Sequence, residues 1–168
     1  ATEDISLVGE LDKVLGDRAG KDIPQGKIHT RLFEHDGRLW FASHTSFYQE
    51  GLPGNDYGGM TQYKGGHFMS YDLSSEGFTD LAKIFPSEGI ISMTMDKENL
   101  ILYGITWPSG ILVSYEVKQN DLRFWGAVQG RGEWGHHPQE WDRICRTLGI
   151  DPLGNVYGST MDGSIWKY

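Results

Sequence analysis

The sequence predicts an all-β chain, and three observations carry that prediction. Gly supplies 23 of the 168 residues, about twice its ordinary ~7% share, alongside six Trp, eight Tyr and seven Phe. Many turns joining short aromatic strands is an all-β signature. Alternation of period two recurs, as in Arg38-Leu39-Trp40-Phe41-Ala42 and Ile111-Leu112-Val113-Ser114-Tyr115. The third observation is that one pattern returns three times.

Each return is Gly, four intervening residues and Tyr: Gly66 to Tyr71, Gly110 to Tyr115, and Gly163 to Tyr168. Ahead of each lies a strand entered from a turn, at 38–44, 100–106 and 155–160, and ahead of that another strand, at 27–34, 90–96 and 143–151. After the first two Tyr strands come fourth strands at 78–85 and 122–128. The unit is therefore a, b, c and d, four antiparallel strands joined by short connections, which is how a β-propeller blade is built. Trp40, Tyr71, Tyr115, Trp125 and Trp166 recur at strand positions and are expected to pack between neighbouring sheets.

The boundaries follow. Residues 5–15, with Val8-Gly9-Glu10-Leu11 resembling a d strand, form an outer strand; 26–85 are blade 1, 86–128 blade 2, and 129–168 a blade 3 that lacks its strand d. Two insertions interrupt the pattern, 45–65 between strands b and c of blade 1 and 129–142 ahead of blade 3. Any helical turn is expected in the insertions, around 138–143. The strands amount to three blades, which do not close a ring alone. The expected partners are therefore further propeller blades, from a second copy or from the rest of a parent protein, with the 5–15 strand pairing beside a 163–168 strand.

Composition excludes several functions. The net charge is −8 and no Lys/Arg cluster tracks a phosphate backbone, so nucleic acid is not an expected partner. Cys145 is the only cysteine, which forbids an intrachain disulfide and a Cys-based zinc site; within Ile144-Cys145-Arg146 it reads as a small buried hydrophobe. No apolar run approaches the roughly 18 residues of a membrane span. The cysteine usage is compatible with cytoplasm or periplasm.

Residues 25–30, Gln-Gly-Lys-Ile-His-Thr, then His35 to Ala42, Gly65-Gly66-His67-Phe68 and Gly104-Ile105-Thr106-Trp107-Pro108 resemble bacterial YVTN/NHL-type propellers, the superfamily that includes streptogramin lyase. The resemblance spans residues 26–168 and rests on blade motifs, not catalytic ones. It implies a seven-bladed or related ring in the parent protein, often exported, so a periplasmic or secreted location is expected.

In a blade the d-to-a and b-to-c connections open on one face, so both insertions share a face, where binding is expected. Five of the six histidines fall there: His29 near the start of strand a, His44 ending strand b, His67 starting strand c, and His136 and His137 in the second insertion. Strand a lines the central channel, which brings Arg31, Arg143, Cys145 and Arg146 near its mouth; alternation makes His29 with Arg31 one inward set and leaves Arg143 with Cys145 competing against Arg146. Glu88, Glu133 and Glu140 add carboxylates to the same face.

Two functions are expected from this surface. The first is a binding or scaffold module taking a small molecule, glycan or protein through His67, Trp107, Trp134, His136, His137 and Arg143, with Tyr48, Tyr57, Tyr63 and Trp141 adding aromatic contact area. The alternative is a metal-assisted lyase or related enzyme, with His29 or His44 as general base and Arg31, Arg143 or Arg146 stabilising an anion. Convergence of His29, His44 and His67 would supply a divalent metal site.

Overall fold

The computed structural model describes residues 4–18, 22–45, 63–130, 132–133 and 142–168. They form three antiparallel sheets of propeller-blade type. The first has β1 (Phe33–His35), β2 (Arg38–Ala42), β3 (His67–Asp72) and β4 (Phe78–Lys83) in that spatial order. The second has β5 (Gly89–Asp96), β6 (Ile101–Trp107), β7 (Ile111–Glu116) and β8 (Asp121–Ala127). The third has β9 (Leu148–Ile150), β10 (Val156–Ser159) and β11 (Ile165–Lys167). None closes into a barrel. Among the described residues no helix is long and apolar enough to cross a membrane.

Alternation sorts each sheet's side chains between two cores. Trp40, Ala42 and Phe68 leave one face of the first sheet to meet Met93, Met95, Leu102, Val113 and Tyr115 of the second. Phe68 is fully buried there, a stabilisation of about 2–3 kcal/mol for one such ring. Ile91, Ile105, Trp107 and Leu112 leave the second sheet on its other side and meet Ile144, Leu148 and Trp166. The sheets thus stack face to face, with inner strand β5 against both β2 and β9. Gly66 marks one close approach: a Cβ there would stand 2.6 Å from the Ser43 carbonyl oxygen and 2.9 Å from the Ile90 nitrogen.

Inner strand a of blade 1 is shorter than the alternation implies, because a side chain replaces part of its ladder. Lys27 and His44 exchange both backbone hydrogen bonds at 2.9 Å. Beyond them the Thr30 hydroxyl accepts from the Ala42 N–H at 3.0 Å and donates to the Ala42 carbonyl at 3.3 Å, and backbone pairing resumes only at Phe33.

The N-terminal strand expected at 5–15 is not formed. Residues Leu11–Leu15 are a single-turn helix, α1, ended by Gly16 in the left-handed region. Leu11 and Leu15, four apart and so on one helical face, pack on Phe41, Met69, Tyr71 and Phe78, the face of the first sheet turned away from the second. The apolar residues read as strand alternation satisfy a helical spacing instead. The turn expected at 138–143 falls largely outside the described residues.

Of the aromatics expected between sheets, Trp40 and Tyr115 are buried there and Trp166 is half-buried, whereas Tyr71 is buried on the other face of the first sheet, against α1. Trp125 differs too: it stays 42% exposed on outer strand β8, its ring tilted 43° to that of Tyr168 at a centroid distance of 4.9 Å.

Candidate functional site

Along the inner strands runs an open groove of about 830 Å³. Its upper end is formed by His29, Arg31 and Arg146, its wall by Ser92 and Thr94 of β5 and Gly149 of β9, and its lower end by the turns that follow β5 and β9. Those two turns are built alike. Asp96 accepts the N–H groups of Glu98 and Asn99 at 3.0 Å and the Asn99 amide at 2.8 Å. Asp151 accepts from Leu153 and Asn155 N–H at 2.9 Å, from the Asn155 amide at 2.8 Å and from the Tyr157 hydroxyl at 3.0 Å. These bonds hold the Asp151 carboxyl down at about 2 and the Asp96 carboxyl below its usual range. Both acids therefore serve their own turns. Lys97 closes this end by donating to the Glu34 carbonyl at 2.7 Å, across to the first sheet.

The upper end is where the expected residues meet. His29 and Arg31, two apart on an extended segment, both line the groove, as does Thr30 between them. Of the two competing sets on the approach to β9, Arg146 reaches the groove, whereas Arg143 and Cys145 are not part of its lining. Arg143 stands beside Gln129, which donates to its carbonyl at 3.1 Å.

His44 sits beneath His29, ring centroids 5.0 Å apart and edge to face, and lies 5.2 Å from the Trp107 ring. It is 2% exposed. Its Nδ1–H donates to the Thr45 carbonyl at 2.5 Å, which fixes the tautomer and leaves Nε2 as a bare lone pair. That Nε2 is buried and has no hydrogen-bond partner among the described residues. Burial pushes His44 down to about 3, with the neighbouring His29, Lys27 and Arg146 adding to the shift. Partial desolvation, then Lys27 and Arg146, lower His29 as well; Lys27 is lowered by burial and by Arg146. In all three groups burial is the largest cause, and nearby positive charge adds to it.

His67 does not join the pair. On β3 it shares parity with Met69 and Tyr71, which face α1, whereas His44 continues the Trp40 and Ala42 face toward the second sheet. Its Nδ1 is bonded to Asp80 Oδ1 at 2.8 Å. Among the described residues no three His, Cys, Asp or Glu side chains group closely enough to hold a metal ion, so the three-histidine centre is not assembled there.

The expected aromatic surface is also altered. Trp107 is buried and its Nε1 donates to Glu133 Oε2 at 2.5 Å. Tyr63 is fully buried, and its hydroxyl and that of Ser43 both donate to Gln25 Oε1, at 2.5 and 2.7 Å. Tyr48, Tyr57, Trp134, His136, His137, Glu140 and Trp141 lie outside the described residues.

The two described glutamates of this face are struts. Glu133 also accepts the Ile144 N–H at 2.6 Å. Glu88 accepts the Ser109 N–H at 3.1 Å and the Ser109 hydroxyl, and burial raises its pKa. Sequence reasoning missed the groove wall. Its signal was present in Ser92, Thr94 and Asp96, polar at every second position between Ile and Met on an inner strand.

No protein-family model matches the chain, and none of the curated proteins matches it either.

Proposed function

We propose that this chain is a propeller-type binding module whose ligand site is the groove along its inner strands. The single observation carrying the reading is the groove itself: about 830 Å³, within the ~300–1,000 Å³ usual for small-molecule sites, and lined by polar side chains from β5 and from the segments and turns that flank the inner strands. A small molecule fits that volume better than a protein or glycan surface, since the described aromatics of this face, Trp107 and Tyr63, are buried. The outer edge of β11, where Ile165 is 78% exposed, supports the further reading that additional blades cover this side.

A lyase-type enzyme is the second reading, and one observation favours it. His29 lines the groove beside two arginines with its pKa lowered, so it is an uncharged base at neutral pH. His44, buried beneath it and absent from the groove lining, does not reach a substrate. A metal-assisted version gains nothing from His67, which is turned to Asp80. The likeness to streptogramin lyase-type propellers rests on blade motifs and adds to the fold reading only.

Gly149 supplies the test. It lines the groove, its φ is ordinary, and a Cβ there meets nothing within 4 Å, so Gly149→Trp fills the groove without forcing the fold. Fragments found by ligand-observed NMR should lose binding to Gly149→Trp at an unchanged melting temperature. Equal binding to both proteins would refute the groove as the site, and turnover of any fragment that His29→Ala abolishes would favour the enzyme.

A further inference from the structure

We propose that the upper end of the groove is an oxyanion site, in which the guanidinium groups of Arg31 and Arg146 grip a carboxylate or phosphate group of the ligand. This rests on the groove being the ligand site and adds the chemical class that it takes.

Charge imbalance is the first ground. Among the described residues Arg31 makes no ion pair; its contact is the Phe33 ring, 5.4 Å from Cζ. Arg146 has one carboxylate nearby, Glu133 at 3.8 Å, beyond hydrogen-bond reach. Glu133 is moreover committed on both oxygens, to Trp107 Nε1 and to the Ile144 N–H. In a chain of net charge −8, two guanidiniums thus line one groove, Arg31 without an ion pair among the described residues and Arg146 with only Glu133 at 3.8 Å. Burial lowers Lys27, His29 and His44, and Arg146 adds to the lowering of each.

Positioning is the second ground. The Arg146 carbonyl accepts the Ser92 hydroxyl at 3.1 Å, which ties the backbone of Arg146 to β5. Arg31 is carried two residues beyond His29 on the segment that Thr30 staples to β2. Both forks therefore start from fixed backbone, and a guanidinium's planar donors match the paired oxygens of a carboxylate or phosphate. His29, in the same lining with its pKa lowered, adds an N–H donor without adding charge.

The same field argues against a cation. The His29–His44 pair offers the bare Nε2 of His44, yet a dication there would face Lys27 and Arg146 with no carboxylate ligand. The acids at the groove's lower end are already occupied by their own turns.

Citrate, inorganic phosphate, maltose and spermidine are titrated against the full chain at low ionic strength, following the backbone amides of Ser92, Thr94, Arg146 and Gly149 by NMR. Citrate or phosphate should move these amides saturably. Arg31→Ala and Arg146→Ala should each weaken binding about tenfold or more, as loss of a charge-assisted hydrogen bond requires, whereas Arg123→Ala, on outer strand β8, should not. Arg31→Lys and Arg146→Lys guard against misfolding and should recover part of the loss. If maltose or spermidine moves the groove amides and neither anion does, or if both Ala variants bind as the parent does, the oxyanion site is wrong and the groove stands. If none of the four probes moves them, the groove reading fails as well.

Discussion

Lowering the pH from 7 to 5 should remove about 2 kcal/mol of folding stability through His44 alone. The imidazole is 2% exposed, its Nδ1–H is committed to Thr45, and burial holds its pKa at about 3. In the unfolded chain the same ring titrates near 6.5. Because the folded pKa is depressed, the unfolded state binds more protons between the two values. The stability is therefore present above about 6.5 and is lost as pH falls toward 3. At pH 5 the folded ring is still neutral, so the figure is set by the unfolded pKa and amounts to about 1.4 kcal/mol per pH unit once that ring is protonated. His29, also lowered, acts in the same direction; Glu88, raised, acts in the opposite one. The lowered carboxylates Asp22, Asp72 and Asp151 lose their contributions below their unfolded value near 3.8, outside this window. Urea unfolding of the parent and of His44→Gln at pH 7, 6 and 5 isolates the His44 share. The gap in stability between the two proteins should shrink by about 2 kcal/mol from pH 7 to pH 5. Parallel pH dependences in the two proteins would refute the buried neutral imidazole.

Three further outcomes follow from single contacts. Gly66→Ala puts a Cβ 2.6 Å from the Ser43 carbonyl oxygen, and backbone cannot swing aside as a side chain can, so thermal unfolding should record a loss of about 3 kcal/mol or more. Thr30→Val keeps the shape and removes the hydroxyl that serves both Ala42 groups; denaturant melts should show a loss of about 1–3 kcal/mol, and hydrogen exchange at the Ala42 amide should accelerate. Leu11→Ala and Leu15→Ala uncover Phe41 and Met69, so each should lower stability, and both should leave hydrogen exchange in β5–β8 unchanged.

How much was legible in advance differs by element. The Gly-to-Tyr strands and the strands before them were readable because turn glycines and alternating apolar residues act locally; β2 to β8 all fall within two residues of their expected bounds. The inner strands of blades 1 and 3 came out shorter. In blade 1 the Thr30 hydroxyl stands in for backbone pairing, an exchange that no periodicity records. Residues 11–15 satisfied both periods in so short a stretch, and contact with Phe41, Met69 and Tyr71 selected the helix.

At the site, alternation named His29 with Arg31 as one inward set and left Arg146 open against Arg143 with Cys145; the groove takes His29, Thr30, Arg31 and Arg146, because these segments are not paired as regular strands. The failure of His67 to join them follows from alternation too, but only once the Ala42↔Phe68 register is known, because that register puts His44 and His67 on opposite faces. Trp107 could not be separated from a surface aromatic by sequence. Its burial depends on Glu133, 26 residues away, meeting its indole nitrogen.

The most direct test of the account is a crystal structure of the full chain grown or soaked with citrate in a sulfate- and phosphate-free medium. Citrate is expected in the groove of the inner strands, with carboxylate oxygens within hydrogen-bond distance of the Arg31 and Arg146 guanidiniums and the body of the molecule along Ser92, Thr94 and Gly149. A groove holding solvent alone at saturating citrate, or Arg31 and Arg146 turned out of it onto carboxylates of the chain itself, would contradict it.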